Sequence, residues 1–145
     1  MKSLPGDVFV TGQISPEQIE QFSERGIQSL INNRPEGEAL MQPEEKTLEN
    51  KSKLLNLNYK FIPMAQGLTP EIIAQSREAY QNLPRPIVTW CASGMRSAVL
   101  WGFAHVDVLG VDGVMTALAE AGFSLEQIRT PLTQYAQNLD GEKNE

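Results

Sequence analysis

The chain has 145 residues, enough for one domain with a buried core. Twelve Lys and Arg against 18 Asp and Glu leave a net charge of −6, which excludes a broad basic surface for nucleic acid or anionic lipid. The single cysteine excludes an intrachain disulfide and any metal cluster built on several thiolates.

The first ten residues, MKSLPGDVFV, lack the apolar run of a signal peptide, and no stretch reads as a membrane span, so a cytoplasmic location is expected by default. Residues 8–10, after Pro5 and Gly6, read as a short edge strand. Ser15-Pro16-Glu17-Gln18 predicts a helix start: Ser15 can cap, Pro16 suits the first helical position, and Gln18 completes a capping box. Ile19 and Phe22 share a face of that helix, and Gly26 ends it. Residues 27–32 read as a strand, followed by the turn-like run Asn33-Arg34-Pro35-Glu36-Gly37-Glu38. Residues 43–56 have helical composition, with Glu44 and Glu45 early and Lys51 and Lys53 late, as the helix dipole favours.

Residues 58–63 form the next predicted strand. Thr69-Pro70-Glu71 starts a helix that runs to about Asn82, and Pro84 and Pro86 bracket a turn. Residues 87–90 are apolar and β-branched or aromatic, as in a buried strand. Residues 97–108 predict a helix that is apolar nearly all round and therefore buried. Two more helices follow, 112–121 and 124–138, the second with a capping box at Ser124 and Gln127 and an interruption at Pro131. The expected domain is 1–139, with a frayed polar tail at 140–145.

Strands alternating with helices predict an α/β fold of three layers, a mainly parallel central sheet flanked by helices. Ligands in such folds bind at the carboxyl ends of the strands. Two segments emerge there, 33–38 and 91–96. The second, Cys91-Ala92-Ser93-Gly94-Met95-Arg96-Ser97, joins a buried strand to a buried helix. That geometry aims backbone N–H groups of Ala92, Ser93, Gly94, Met95 and Arg96 at one point, beside the positive end of a helix dipole, where an anion or a thiolate is stabilised. Gly94 lets the loop curl. Arg96 offers a planar fork matched to a tetrahedral oxyanion. Ser97 is expected to donate to the Cys91 sulfur and steady it as a leaving group.

Together with 10–17, 31–38 and 68–71, this loop resembles the phosphatase-like domain family of bacterial beta-lactamase hydrolase-like proteins, over nearly the whole chain. The resemblance implies the tyrosine and dual-specificity phosphatase fold, with Cys91 as nucleophile, Arg96 as oxyanion clamp and Ser97 as helper hydroxyl. The sequence departs from the phosphatase pattern in three places. Four residues separate Cys91 from Arg96 where tyrosine phosphatases have five, a spacing shared with rhodanese loops. The stretch Pro63-Met64-Ala65-Gln66-Gly67, where a phosphatase carries its general acid, holds no carboxylate. Ala92 stands where the family often has Arg.

Three functions are consistent with the loop: a cysteine-dependent phosphatase working through a thiophosphate on Cys91, a sulfurtransferase carrying a persulfide on Cys91, and a non-catalytic anion-binding module. The expected partner is a small anion, whether phosphate ester, thiosulfate or persulfide. No metal or organic cofactor is implied. Arg34 could give a second anion contact and Glu36 or Glu38 a substitute acid, against a plain turn with solvated charges. His105, the sole histidine, falls about 12 Å along its helix from Ser97 and is expected to pack rather than react. Trp90 and Trp101 are expected in the core.

Overall fold

The computed structural model describes residues 1–143. Five strands form one sheet in the order β1-β2-β5-β3-β4: β1 (Lys2–Leu4), β2 (Val8–Thr11), β3 (Ser29–Asn32), β4 (Asn58–Phe61) and β5 (Ile87–Trp90). The last four are mutually parallel, and only β1 runs antiparallel, against β2. The segment at 8–10 is therefore not an edge strand. The hairpin through Pro5 and Gly6 returns β1 onto its outer side and covers it.

All four residues of β5 and of β3 are buried, as strands packed on both faces must be. Leu30, Val88 and Trp90 face one way and join Ile14, Ile19, Phe22 and Leu48 under α1 (Pro16–Glu24) and α2 (Glu45–Leu54). Val8, Val10, Ile31 and Ile87 face the other way, toward α3 (Pro70–Asn82), α4 (Met95–Glu120) and α5 (Arg129–Lys143). Both tryptophans are fully buried. The architecture is the expected three-layer α/β fold.

Local chemistry sets most helix starts. Ser15 and Gln18 close a reciprocal capping box at α1, and the Thr69 hydroxyl accepts from the Ile72 N–H at α3; caps of this kind contribute about 1 kcal/mol each. The two helices expected at 97–108 and 112–121 are present as the two segments of α4, which part at Gly110, whose φ of 74° and ψ of 167° leave helical space. By length and composition α4 could cross a membrane, contrary to the reading that no stretch is long enough. Leu100, Trp101, Phe103, Val106, Val114 and Leu118 are nevertheless buried among the domain's own elements.

The capping box at Ser124 does not form. Residues Glu126–Ile128 make a 3₁₀ turn with no side-chain cap. Pro131 then falls in the first turn of α5, where its missing N–H costs no hydrogen bond. The helix continues to Lys143, past its expected end at 138. Of the tail expected at 140–145, Asn144 and Glu145 lie outside the described residues.

Candidate active site

Cys91 follows β5, the central strand, so its sulfur sits at the carboxyl end of the sheet with sheet on both sides. Its side chain is buried. The Gly94 N–H donates to Cys91 Sγ at 3.1 Å. Gly94 is also the N-cap of α4 and adopts φ 96°, the left-handed region. The chain thus turns back over the sulfur and enters the helix at once. The first N–H groups of α4 have no intrahelical acceptor, and they lead from this turn.

The loop rests on the end of β2. The Gln13 N–H donates to the Ala92 carbonyl at 3.3 Å. A Cβ on Gly12 would come within 2.8 Å of that same carbonyl oxygen, and one on Gly94 within 3.2 Å of Val10 Cγ1. The two backbones touch, so glycine is needed on both sides of the contact.

Arg96 reaches across to the loop after β3. Its Nη1 and Nη2 both donate to the Glu38 carboxylate at 2.9 Å, the bidentate geometry expected of the guanidinium fork, and Nη1 also donates to the Met64 carbonyl at 3.3 Å. Arg34 donates to the same carboxylate at 3.0 Å and to Gln13 Oε1 at 3.1 Å. Arg96 first, and Arg34 with it, hold the Glu38 carboxyl at about 2, far below its ordinary value, although partial burial opposes them. Glu38 in turn raises Arg96, and the nearby Cys91 sulfur adds to that shift. Arg96 therefore lies between a resident carboxylate and the thiol.

At rest Arg96 and Arg34 favour the carboxylate form of Glu38, which weighs against the substitute acid considered from the sequence. Glu36 does not face the site. Its carboxylate accepts from the Glu45 N–H at 2.8 Å and caps α2. Ser97 also departs from expectation. Its hydroxyl donates to Asn33 Oδ1 at 2.8 Å rather than to Cys91. Asn33 is the residue the sequence reading left in a turn. It is buried, its Nδ2 donates to the Ile62 carbonyl at 2.8 Å, and its Oδ1 also accepts from Thr89 at 2.9 Å.

The family model for the phosphatase-like domain of beta-lactamase hydrolase-like proteins matches residues 1–107. The chain belongs to that family. It is 29% identical over 134 residues to beta-lactamase hydrolase-like proteins from two strains of Xylella fastidiosa, a match covering 88% of this chain and 30% of theirs. The chain thus spans under a third of the length of these curated relatives.

Among solved structures, a candidate phosphatase of Neisseria meningitidis superposes with TM-score 0.78 at 23% identity, covering 92% of this chain and 96% of that one. The core catalytic domain of the PP-IP phosphatase SIW14 of S. cerevisiae, in complex with citrate, superposes with TM-score 0.69 at 16% identity, covering 98% and 91%. These likenesses establish the fold of the phosphatase-like domain as that of the tyrosine and dual-specificity phosphatases.

Within the phosphatase-like domain, the other candidates lie apart from Cys91. His105 stacks on Trp101 at 5.0 Å, donates from Nδ1 to the Trp101 carbonyl at 2.7 Å, and neighbours Arg85 before β5, at the opposite end of the sheet from the loop. Burial lowers its pKa. A cleft of about 780 Å³ between α3 and α5, lined by Ile73, Arg77, Phe103 and Tyr135 among others, contains none of residues 91–97. Gly12, Gln13, Asn33 and Thr89 support the loop but carried no role in the sequence reading. The run Thr11-Gly12-Gln13 was part of the family resemblance, and that was the signal available for the first two. Nothing local marks Asn33 or Thr89, because their partners are distant in sequence.

Proposed function

We propose that this domain is a cysteine-dependent phosphatase-like hydrolase in which Cys91 attacks phosphorus. The carrying observation is the Gly94 N–H on the Cys91 sulfur where α4 begins, with Arg96 in the first turn of that helix and within electrostatic reach of the sulfur. A phosphate monoester would seat its oxygens on the loop N–H groups, and Arg96 would exchange the Glu38 carboxylate for two of them. The sulfur–phosphorus bond forms as the ester oxygen–phosphorus bond breaks. Water then attacks the thiophosphate, releasing phosphate and returning the sulfur as thiolate.

The leaving alcohol has to take its proton from solvent. The loop at 63–67 contains no carboxylate, and Arg34 still favours the ionised form of Glu38 after Arg96 turns to the phosphate. A positioned acid contributes about 10²–10⁴-fold, so activity should be weak and restricted to activated aryl esters.

The same observation favours a second reading, a sulfurtransferase. Thiosulfate gives its sulfane sulfur to the Cys91 thiolate and leaves as sulfite, which needs no proton. The short four-residue loop suits this smaller transfer. The persulfide then passes to a nucleophilic acceptor.

Parallel assays on an aryl phosphate and on thiosulfate with cyanide decide between them. The phosphatase reading expects aryl phosphate hydrolysis, with phosphate released. A reductant-sensitive mass gain of about one sulfur on Cys91, without phosphate release, would replace it with the second reading. Sulfate binding with neither turnover would leave a non-catalytic anion module.

A further inference from the structure

The loop between β3 and α2 carries an apolar tip on a polar frame. The Gln42 N–H donates to the Ala39 carbonyl at 3.3 Å and closes a turn whose two corner residues are Leu40 and Met41. Turn corners are ordinarily Gly, Pro, Asn, Asp or Ser. Leu40 and Met41 are instead 103% and 92% exposed, the two most exposed large apolar side chains among the described residues. A single exposed leucine needs no explanation. Two adjacent apolar corners break a local rule, and such breaks concentrate at functional positions.

The frame fixes where the tip lies. Gln42 Oε1 accepts from the Glu38 N–H at 2.9 Å, and Gln42 Nε2 donates to the Pro35 carbonyl at 2.8 Å. Glu38 stands two residues before Leu40, at most about 7 Å between Cα atoms, and its carboxylate accepts from Arg96 of the cysteine loop at 2.9 Å. When Arg96 turns to a bound anion, Arg34 still donates to Glu38 at 3.0 Å and to Gln13 Oε1 at 3.1 Å, and the Gln13 N–H donates to the Ala92 carbonyl of the cysteine loop. The tip therefore stays beside the anion site while that site is occupied. Met95, exposed at the start of α4, adds apolar surface from the cysteine loop itself.

The charge of the same segment narrows the ligand. Residues 33–44 hold three carboxylates, Glu36, Glu38 and Glu44, against one arginine, Arg34. A ligand bearing a second phosphate would meet like charge there, whereas an uncharged apolar body would meet Leu40 and Met41. We propose that Leu40 and Met41 form an apolar lip that selects phosphate monoesters whose single anionic head carries an aryl or alkyl body. The net charge of −6 opposes an anionic bilayer, so the ligand is a dissolved ester. The inference rests on the phosphatase reading and deepens it by naming the substrate class.

The test measures binding of non-hydrolysable anions to the full chain by calorimetry. Phenylphosphonate and hexylphosphonate should bind about tenfold more tightly than methylphosphonate, as burial of about two methylene equivalents predicts. Leu40→Ser/Met41→Ser should lose most of that gain. Its affinity for inorganic phosphate, which does not reach the lip, should match wild type. Leu54→Ser makes the same kind of change at the exposed last residue of α2 and should keep the gain.

Equal affinity for the three phosphonates in wild type, a gain that survives the double substitution, or a gain lost equally in Leu54→Ser overturns the proposal. So does methylenediphosphonate binding more tightly than hexylphosphonate. Co-sedimentation of wild type with phosphatidic acid vesicles, lost in the double variant, overturns it in favour of a lipid surface. Failure of inorganic phosphate to bind would remove the anion site, and the phosphatase reading with it. Phosphate binding without an apolar gain removes only the lip.

Discussion

Two loops leave the carboxyl edge of the sheet side by side, 91–96 after β5 and 33–44 after β3. The first is organised by its own backbone: Gly94 turns, the helix begins, and the Gly94 N–H meets the sulfur three residues back. The second is organised by side chains. Glu36 caps α2, Gln42 bridges the Glu38 N–H and the Pro35 carbonyl, and Glu38 gathers two arginines. The first loop carries the proposed anion site, and the second gives that loop's arginine a resident carboxylate. An anion site in an acidic protein needs a local counter-charge to keep its arginine in place, and it can be taken from a neighbouring loop.

The sharpest way to break this comparison is at the sulfur. Cys91→Ser should abolish turnover by at least about 10³-fold in either enzyme reading while keeping the fold and sulfate binding, because the hydroxyl stays protonated. Appreciable residual turnover in the purified variant would remove Cys91 from the chemistry. Arg96→Lys should come next. Lysine keeps the charge but cannot make the two-pronged contact, and sulfate or phosphate affinity should fall about tenfold by calorimetric titration.

Gly12→Ala tests whether the loop depends on its support. The added methyl meets the Ala92 carbonyl at 2.8 Å, with backbone on both sides and no room to yield. A stability loss of about 1–3 kcal/mol, with weaker anion binding, is expected in chemical denaturation and titration. Unchanged binding would mean that the loop tolerates displacement.

Glu38→Gln sharpens the role of the second loop. It removes a charge that competes with the ligand for Arg96, so sulfate should bind a few-fold more tightly. The same variant isolates a pH effect. Because the folded Glu38 carboxyl titrates at about 2, below its ordinary 4.5, it contributes stability above pH 4.5 that is lost as pH falls from 4.5 toward 2. The difference in Tm between wild type and Glu38→Gln should therefore shrink over that window. His105→Phe should have the smallest effect on activity, within about twofold, and change only stability, since the ring serves the core at the far end of the sheet.

Much of this was legible in the sequence because it is local. The alternation of strand and helix, the capping box at Ser15, the Thr69 cap and the curl at Gly94 each depend on residues within a few positions of one another. So does the placement of Cys91 at a strand-to-helix turn. The errors share the opposite property. The edge position assigned to residues 8–10 failed because a three-residue strand, Lys2–Leu4, pairs outside it. Ser97 was expected on Cys91, whereas its observed partner, Asn33, lies 64 positions away.

The sequence by itself determined where the candidate reactive cysteine and its loop lie, since a Cys-to-Arg loop between an apolar strand and an apolar helix is written in consecutive residues. Only the tertiary structure decided how that loop is held and what it holds at rest. Arg96 meets Glu38 across 58 positions and Ser97 meets Asn33 across 64. Such pairs form because parallel strands bring every βα loop to the same edge of the sheet, and a hydrogen bond between two of those loops leaves no pattern in either one.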